Sequence, residues 1–389
     1  MKKKIIILGS TGSIGSTTYE LIKKNKHIFQ IKLLSTNKNI KKLINQAIEM
    51  NVKNLIITDQ KTYIRAVKKY KNRNFNFYNT FQIIDNLFKP KEIYYAMISL
   101  SGLSGLTPTL KTIKYCKNIG IVNKESLVCA WNLIKIKLKY FKTNFIPIDS
   151  EHFSIYSILK NDKSSGIKKL YLTASGGPFL NSHTKTISNA SVSQVTKHPN
   201  WKMGKKISVD SCTMMNKVFE VIEAKNIFDL KYKDIKILTH PNSYVHAIIK
   251  FKNNTVKFLA HEPYMAIPIS QSLKIEEKDI KLFSEDINLK ILNNLNLKKV
   301  DLKKFPLVKI LEKIPQNNSL FETALVTIND FFVEKFLKKK ISYKKLIKLV
   351  EYHVNSKVFT KFKNIPVRKL EDIVKLTHYV HLKLNKLSI

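Results

Sequence analysis

Short, continuous apolar runs alternate with longer amphipathic segments along the first 150 residues. The runs lie at 5–8, 31–34, 54–57, 94–100, 120–122 and 145–148. Between several of them, apolar residues recur at helical spacing in lysine-rich segments such as 40–48. Apolar strands that alternate with helices are typical of a parallel sheet covered on both faces. We therefore predict an α/β fold whose N-terminal domain, over 1–149, is built in this way.

The pattern changes after residue 149. Strand-like runs follow at 167–173, 235–238, 244–251 and 255–259. Polar loops with Gly and Ser separate them, which predicts a central α+β domain over 150–273 with a loop for chemistry near 197–205. The charged, weakly patterned residues 274–300 predict a linker. Apolar positions at helical spacing in 320–338, 343–354 and 367–387 predict a C-terminal helical bundle over 301–389.

A glycine-rich turn, Gly9-Ser-Thr-Gly-Ser-Ile-Gly15, joins the first predicted strand to the first helix. Such a turn brings backbone N–H groups and a helix N-terminus against a pyrophosphate, which predicts a Rossmann-like dinucleotide site. The spacing is GxxGxxG and not GxGxxG, so a tight turn without a ligand is the alternative. The position of the turn, directly after the first strand, favours the dinucleotide.

The end of the second strand indicates which dinucleotide is bound. NAD sites usually carry Asp or Glu there, to bind the ribose hydroxyls. This chain has Ser35-Thr-Asn-Lys38-Asn39, without a carboxylate and with one cation. An acid would repel a 2′-phosphate, whereas Lys38 and its neutral neighbours would accept one, so we predict NADPH over NADH. In a chain so rich in lysine, an incidental Lys38 is the alternative.

Carboxylates suited to a metal ion occur at two places. Asp149 and Glu151 follow the apolar run 145–148, and in an extended chain their side chains project to one side. Glu220 lies on a predicted helix, where Asn216 shares its face. Three carboxylates without a His/Cys cluster suit Mg²⁺ or Mn²⁺, and not structural zinc. A surface acidic pair is the alternative for Asp149 and Glu151 taken alone.

Other polar groups suit a phosphate monoester. They are Ser175-Gly-Gly-Pro178, Ser211, Asn216 and Lys217, which offer hydroxyls, an amide, a cation and exposed N–H groups. An ordinary turn is the alternative for the Ser-Gly-Gly segment. Lys124 and Glu125 follow another strand, at the edge where open α/β sheets bind ligands. Trp201, in the polar loop with His198, is either a lid over a substrate or a packing anchor.

The composition limits the classes of protein. Lys and Arg number 69 against 28 acidic residues, a net charge of +41, but only three of the 69 are arginine. Because arginine is the residue that reads bases, we expect no specific nucleic-acid partner and favour a phosphorylated, anionic substrate. Three scattered cysteines form no disulfide framework. The apolar runs are too short for a membrane span or a signal peptide, so we expect a cytoplasmic protein without a membrane partner.

Six motifs, in this order, resemble one known family. They are Gly9-Ser-Thr-Gly-Ser-Ile-Gly15, Asn123-Lys-Glu-Ser-Leu127, Asp149-Ser-Glu-His152, Ser175-Gly-Gly-Pro-Phe179, His198-Pro-Asn-Trp-Lys-Met-Gly204 and Lys206-Ile-Ser-Val-Asp-Ser-Cys-Thr-Met-Met-Asn-Lys217. Together they look like the 1-deoxy-D-xylulose 5-phosphate reductoisomerase family, NADPH-dependent enzymes of the non-mevalonate isoprenoid pathway. The resemblance runs from residue 1 to about 270 and continues more weakly to the end.

The resemblance implies a homodimer and a role for each motif. The cofactor would contact Thr11, Gly12, Ser13, Ile14, Lys38, Asn39, Asn123, Glu125 and Gly204. The divalent ion would be held by Asp149, Glu151 and Glu220. The substrate would be held at its phosphate by Ser175, Ser211, Asn216 and Lys217, and at its sugar by Lys124, Ser150, Glu151 and His198, beneath Trp201. The implied reaction rearranges 1-deoxy-D-xylulose 5-phosphate and reduces it to 2-C-methyl-D-erythritol 4-phosphate.

Four segments depart from the pattern usual in the family. Asn37 stands where a glycine is common beside the cofactor, and Ala174 replaces a frequent glycine. His261-Glu-Pro-Tyr264 replaces the more usual Gly-Glu-Pro-Asp, and Asn329-Asp330 occurs where an Asn-Glu pair is more typical. None removes an expected metal or phosphate ligand, so they bear on affinity and packing. Two other functions stay open, a simple NADP-dependent dehydrogenase and a basic nucleic-acid-binding protein.

Overall fold

The computed structural model describes residues 1–160, 166–182, 187, 189–201, 203–275 and 286–387 of the chain. These residues fall into two compact units, each built around one β-sheet. The first unit takes the described residues of Met1–Ser126, Ile134–Phe153 and Met265–Phe283. The second takes those of Leu127–Leu133, Ser154–Tyr264 and Ser284–Ile389.

The sheet of the first unit has seven parallel strands. They are β1 (Lys3–Leu8), β2 (Phe29–Thr36), β3 (Asn54–Ile57), β4 (Asn76–Tyr78), β5 (Ile93–Ile98), β6 (Cys116–Ile121) and β7 (Asn144–Pro147). Their order is β4-β3-β2-β1-β5-β6-β7, so the chain winds outward in both directions from β1. In sheets of this type, ligands bind beyond the carboxyl ends of the strands where the order reverses, which here is between β1 and β5.

The sheet of the second unit is mixed. Its strands are β8 (Ile167–Ala174), β9 (Ile235–Thr239), β10 (Val245–Phe251), β11 (Val256–Ala260) and β12 (Lys298–Lys299), in the order β11-β10-β8-β9-β12. Strands β8 and β9 are parallel, and the other pairs are antiparallel. Inward residues of β8 and β10, such as Leu170, Leu172 and Ile249, are fully buried against Val221 and Ala224. This apolar layer holds the helix that carries Glu220.

The helices follow the predicted alternation. They are α1 (Ser13–Lys24), α2 (Ile40–Glu49), α3 (Gln60–Lys69), α4 (Ile84–Leu87), α5 (Leu106–Thr112), α6 (Lys124–Tyr140), α7 (Ser150–Lys160), α8 (Val192–Val195), α9 (Lys205–Cys212), α10 (Met215–Ile227), α11 (Ala266–Leu273), α12 (Leu289–Leu292), α13 (Leu320–Leu337), α14 (Tyr343–Asn355), α15 (Lys357–Thr360) and α16 (Leu370–Leu387). In the second unit, α13 packs on α14 and α16. In the first, α11 packs on α1, and the hydroxyls of Tyr95 and Ser272 are hydrogen-bonded at 2.8 Å.

The predicted fold class is confirmed: a parallel-sheet nucleotide fold, a second sheet and a helical C-terminal part are all present. The apolar run 5–8 is completely buried, as a central parallel strand requires. The short strands β4 and β12 were not predicted. Among the described residues, no helix combines the length and apolar character that crossing a membrane requires.

One local prediction is wrong. Asp149 and Glu151 do not lie in extended chain, because α7 begins at Ser150 and the Phe153 N–H bonds the Asp149 carbonyl at 2.8 Å. The domain limits at 149, 273 and 300 stay predictions. Residues 276–285 of the predicted linker, and Lys202 of the predicted loop, lie outside the described residues.

Candidate active site

The turn after β1 needs its glycines for steric reasons. Gly9 has φ +86°, a left-handed conformation that favours glycine, and a Cβ there would lie 2.5 Å from the Ser99 carbonyl oxygen. A Cβ on Gly15 would lie 2.1 Å from the Gly9 carbonyl oxygen. The start of α1 is therefore packed directly on the turn, with no room for a side chain between them.

The N-terminus of α1 is suited to an anion. Gly12 is its N-cap, without a side-chain cap, and the first turn contains no acidic residue. The N–H groups of a first helical turn lack helical acceptors and favour negative charge. Thr11 shares a 2.6 Å hydrogen bond with Thr36, and the Lys42 ammonium donates to the Ser16 hydroxyl at 2.5 Å. Lys42 was missed by the sequence reasoning, because nothing distinguishes it among so many lysines.

The residues after β2 lie at the same edge of the sheet. Lys38 is 73% exposed, and its ammonium lies 3.8 Å from the Asp59 carboxylate. Asn37 donates to the Thr58 hydroxyl at 2.9 Å, and Asn39 caps α2 by accepting the Lys42 N–H at 3.2 Å. Hydrogen bonds from Thr62, with Lys38 nearby, lower the pKa of Asp59. The Lys38 cation at this edge is thus exposed, while the side-chain amides of Asn37 and Asn39 are hydrogen-bonded to neighbouring segments.

Asn123 joins two segments at the carboxyl edge of the sheet. Its amide donates to the carbonyls of Leu100 and Gly102, both at 2.7 Å. Its side-chain oxygen accepts the Ser126 N–H at 2.7 Å and so caps α6. Glu125 is buried in the first turn of the same helix. Asn123 therefore fixes the loop after β5 and the start of the helix that carries Lys124.

Asp149 lies between two groups that stabilise its negative charge. The Lys124 ammonium pairs with one oxygen, and His152 Nδ1 lies 3.1 Å from the other. Burial by itself would raise the pKa of Asp149, but Lys124 and His152 outweigh burial and hold this pKa well below its usual range. Asp149 is therefore a carboxylate at neutral pH. The sequence reasoning gave His152 no role, although its i, i+3 spacing from Asp149 at a helix start was a visible signal.

Glu151 is in the first turn of α7, where a helix favours negative charge. The Ser150 hydroxyl donates to its carboxylate at 2.7 Å. Three polar residues of the first unit, Asp149, Ser150 and Glu151, are thus placed together at the N-terminus of one helix.

Ser175 and His198 form a pair in the second unit. His198 Nδ1 accepts the N–H groups of Asn200 and Trp201, at 3.2 and 3.0 Å. The ring hydrogen must then be on Nε2, which lies 3.0 Å from the Ser175 oxygen and donates to it. Gly177 N–H donates to the same oxygen at 3.2 Å. Burial lowers the pKa of His198 to about 4, so its ring is neutral. The Ser175 hydroxyl can therefore donate its own hydrogen to another acceptor.

The loop that carries Trp201 is docked on β10. The Trp201 ring makes an edge contact with His246, at 6.1 Å between centroids, and His246 stacks on His261 at 4.0 Å. The Asn200 amide donates to the Pro241 carbonyl at 2.6 Å. His261, one of the departures from the usual family pattern, is therefore part of the aromatic stack under this loop. Gly204 is exposed and begins α9 as its N-cap.

Polar side chains are buried where α9 meets α10. The Lys217 ammonium pairs with the Glu220 carboxylate, and Asn216 donates to the other Glu220 oxygen. Lys217 and Glu220 are almost completely buried, although both residue types are rarely buried unless paired. Ser211 is half-buried in the last turn of α9. The residues predicted for the phosphate and for one side of the metal are therefore neighbours in the second unit.

A parallel sheet with a glycine turn at its switch point, together with buried and charge-paired carboxylates, defines a dinucleotide-dependent enzyme. Comparison with known proteins gives the family. Three family profiles match: "1-deoxy-D-xylulose 5-phosphate reductoisomerase" over 5–131, its "C-terminal domain" over 145–228, and "DXP reductoisomerase C-terminal domain" over 261–381. The chain belongs to the 1-deoxy-D-xylulose 5-phosphate reductoisomerase family.

Relatives match along the whole chain. The reductoisomerase of Pelagibacter ubique is 49% identical over 388 residues and is covered completely, as is this chain. That of Clostridium tetani is 36% identical, with 90% of this chain and 91% of the relative covered. A solved reductoisomerase in complex with NADPH, fosmidomycin and magnesium matches with a TM-score of 0.89 at 31% identity, covering 99% of both chains. The Zymomonas mobilis enzyme in complex with NADPH matches at 0.85 and 26% identity, covering 100% of this chain and 99% of the other.

Proposed function

We propose that this protein converts 1-deoxy-D-xylulose 5-phosphate into 2-C-methyl-D-erythritol 4-phosphate, with NADPH and a divalent metal ion, in isoprenoid precursor biosynthesis. The observation that carries the proposal is the match over 99% of both chains to a reductoisomerase solved with NADPH, fosmidomycin and magnesium. The reaction rearranges the carbon skeleton of a sugar phosphate and then reduces the resulting aldehyde.

The glycine turn and the start of α1 would hold the NADPH pyrophosphate. The residues are Thr11, Gly12, Ser13 and Ile14, and the steric demand at Gly9 and Gly15 supports this close backbone approach. The exposed Lys38, flanked by Asn37 and Asn39, would bind the 2′-phosphate. Asn123, Glu125 and Gly204 would complete the site. When bound, NADPH supplies the hydride for the reduction.

Asp149, Glu151 and Glu220 would hold the divalent ion. Asp149 and Glu151 lie at the start of α7 in the first unit, and Glu220 is a buried carboxylate on α10 in the second. Their donors are all oxygen, which Mg²⁺ and Mn²⁺ prefer, and Asp149 is ionised at neutral pH. When bound, the ion supplies Lewis acidity towards the carbonyl and hydroxyl oxygens of the substrate.

The remaining site residues would bind and enclose the substrate. Ser175 has a hydroxyl hydrogen to donate to a phosphate oxygen, because its own oxygen already accepts from His198 and Gly177. Ser211, Asn216 and Lys217 would complete the phosphate site. The sugar oxygens would be contacted by Lys124, Ser150, Glu151 and His198. Trp201 would cover the substrate and exclude water, which protects reactive intermediates from side reactions.

The reaction can be tested by the loss of NADPH absorbance with 1-deoxy-D-xylulose 5-phosphate. We expect oxidation that requires Mg²⁺ or Mn²⁺, stops on addition of EDTA, and is much slower with NADH. Product analysis should show the branched 2-C-methyl-D-erythritol 4-phosphate. A reduced product with an unbranched skeleton would instead identify a simple dehydrogenase. No oxidation by a folded, NADPH-binding protein would refute the proposed reaction.

We further propose a homodimer that works in the cytoplasm. Strand β11 is at an edge of its sheet and exposes Val256 by 56% and Phe258 by 46%, a surface that a second copy would cover. The three cysteines are free and buried, which fits a reducing compartment. Light scattering during gel filtration should give twice the 45.1 kDa chain mass, and a monomer would contradict the dimer.

A further inference from the structure

We propose that Tyr343, in helix α14, positions the hydroxyl of Ser211 for the substrate phosphate by capping the C-terminus of α9. Tyr343 is a positioning residue and touches no substrate itself. The inference rests on the proposed function, which places Ser211 at the phosphate.

The contact lies directly beside Ser211. Helix α9 ends at Cys212, and carbonyl groups in the last turn of a helix have no helical N–H to bind. The Tyr343 hydroxyl donates to the Cys212 carbonyl at 3.0 Å, and it lies 3.4 Å from the Cys212 sulfur. Burial raises the pKa of Tyr343, so the hydroxyl keeps its hydrogen and remains a donor at neutral pH.

The backbone just beyond this contact is in a conformation that needs support. Met214, between α9 and α10, has φ +63°, the left-handed region that non-glycine residues rarely adopt. Its N–H bonds the Ser211 carbonyl at 3.2 Å. This bend sets the direction in which α10 leaves Ser211, and with it the positions of Asn216 and Lys217. A cap on Cys212 therefore restrains both sides of the predicted phosphate site.

The residue on the other side of Ser211 is also anchored by a C-terminal helix. The Asn329 amide of α13 donates to the buried Asp210 carboxylate at 2.8 Å. The Lys206 ammonium lies 3.4 Å from the same carboxylate. Asp210 and Cys212 are thus both fixed from the C-terminal helices, and the half-buried Ser211 lies between them.

Tyr343 reaches the second phosphate-binding segment as well. Its ring packs edge-on against Phe179, with 6.0 Å between centroids, in the segment that begins with Ser175. A Cβ on Gly177 would lie 3.1 Å from the Cys212 Cα, so this segment packs closely on the end of α9. The serines predicted to bind the phosphate therefore rest on one element that Tyr343 holds in place.

The test is the variant Tyr343→Phe, which keeps the ring packing and removes only the donated hydrogen bond. We expect the KM for 1-deoxy-D-xylulose 5-phosphate to rise about fivefold, as for the loss of one hydrogen bond, with kcat within about twofold. The inhibition constant of inorganic phosphate should rise by the same factor. Tyr232→Phe, which removes another buried hydroxyl in the same unit, should change neither constant.

A double-mutant cycle with Ser211→Ala isolates the positioning role. If Tyr343 acts through Ser211, adding Tyr343→Phe to Ser211→Ala should have little further effect on KM. The proposal would be overturned if the effects of the two substitutions on KM multiplied. It would also be overturned if Tyr343→Phe raised KM without raising the inhibition constant of phosphate. Either result would leave the proposed function intact. An unmodified protein that does not turn over the substrate would instead refute the proposed function, and an unaffected Ser211→Ala would remove Ser211 from the phosphate site.

Discussion

At the scale of single residues, burial alone does not decide the charge of a carboxyl group in this protein. Asp149 is paired with the Lys124 ammonium and His152, which hold its pKa well below the usual range despite its burial. Glu322 is buried among neutral donors, the hydroxyl and N–H of Ser319 and the amide of Asn318. Burial raises the pKa of Glu322 to about 7. The cation beside Asp149 therefore keeps this candidate metal ligand ionised, whereas Glu322, which has only neutral donors, has a structural role.

Changing Glu220 to Gln should abolish turnover. The substitution keeps the shape and the contact to Asn216, but it removes the charge that would bind the metal and that pairs with the buried Lys217. We expect kcat to fall at least about 1,000-fold and the free energy of unfolding to fall by about 3 kcal/mol. The NADPH dissociation constant should change little, because Glu220 is not in the unit with the glycine turn.

Steady-state kinetics, urea unfolding and NADPH fluorescence titration measure the three quantities. Glu312→Gln, the same change at an exposed position of the same unit, is the control and should leave all three unaltered. Full activity of Glu220→Gln would exclude Glu220 from the mechanism.

Glu322 should make the stability of the protein depend on pH. Its pKa is higher in the folded state than in the unfolded state, so its stabilising contribution is fully present below about pH 4.5 and is lost as the pH rises through 7. The size of the loss is about 3 kcal/mol. Glu322→Gln should remove this loss, because an amide does not ionise.

Urea unfolding at pH 5 and pH 8 compares the two proteins. The unchanged protein should have a free energy of unfolding about 3 kcal/mol lower at pH 8 than at pH 5 through Glu322, and Glu322→Gln should lack this decrease. Parallel pH profiles would show that Glu322 does not titrate in this range.

At the scale of elements, several of the binding features lie at the start of a helix. The glycine turn precedes α1, Asn123 caps α6, Asp149 precedes α7, and Gly204 caps α9. Free N–H groups and the helix dipole favour negative charge at these positions. The short loops between strands and helices therefore bring anion-binding and carboxylate groups to the ends of elements whose cores are fixed by packing.

The glycine turn predicts a sharp difference between two glycine-to-alanine variants. Gly15→Ala would place a Cβ 2.1 Å from a backbone oxygen, whereas at Gly12 the nearest contact would be an ordinary 3.4 Å. We expect Gly15→Ala to lose about 2 kcal/mol of stability and to weaken NADPH binding more than about tenfold. Gly12→Ala should keep its melting temperature. Equal melting temperatures for both variants would show that the turn does not pack as described.

The local prediction for Asp149 and Glu151 was wrong because two sequence patterns at this point indicate different structures. The apolar run 145–148 favoured an extended chain continuing to Glu151. An Asp followed by an acidic residue in the next turn is also a typical helix start, and that signal prevailed at Ser150. Strands β4 and β12 were not predicted because they are only three and two residues long, too short for an alternating pattern to show. The two residues of β12 are also both exposed lysines.

At the scale of the whole molecule, the positive charge creates a general electrostatic field and does not form a specific binding motif. The net charge of +41 comes almost entirely from lysine, distributed along the chain. Such a field attracts any anion over distances that dissolved salt shortens. It therefore favours sugar phosphates and NADPH without specifying either, and the specific contacts must come from the buried and half-buried groups of the site.

The field predicts a salt dependence of the reaction. Raising the ionic strength from about 0.05 M to about 0.5 M should lower kcat/KM for 1-deoxy-D-xylulose 5-phosphate about tenfold, because screening removes the long-range attraction. The value of kcat should change little. Stopped-flow and steady-state measurements over a KCl series check this, and a kcat/KM independent of salt would show that the charge does not guide the substrate.

The sequence by itself determined the alternation of the longer strands and helices, the fold class, the glycine turn and the absence of an acid after β2, because these depend on local periodicity and on residue type. The tertiary structure decided which polar groups meet within each unit. Examples are Lys124 with Asp149, Ser175 with His198, and Tyr343 with the end of α9. The residues in these pairs are 23 to 131 positions apart, so no local pattern relates them. Only the packing of buried strands and helices fixes such distances, and with them the charges and hydrogen-bond directions on which catalysis depends.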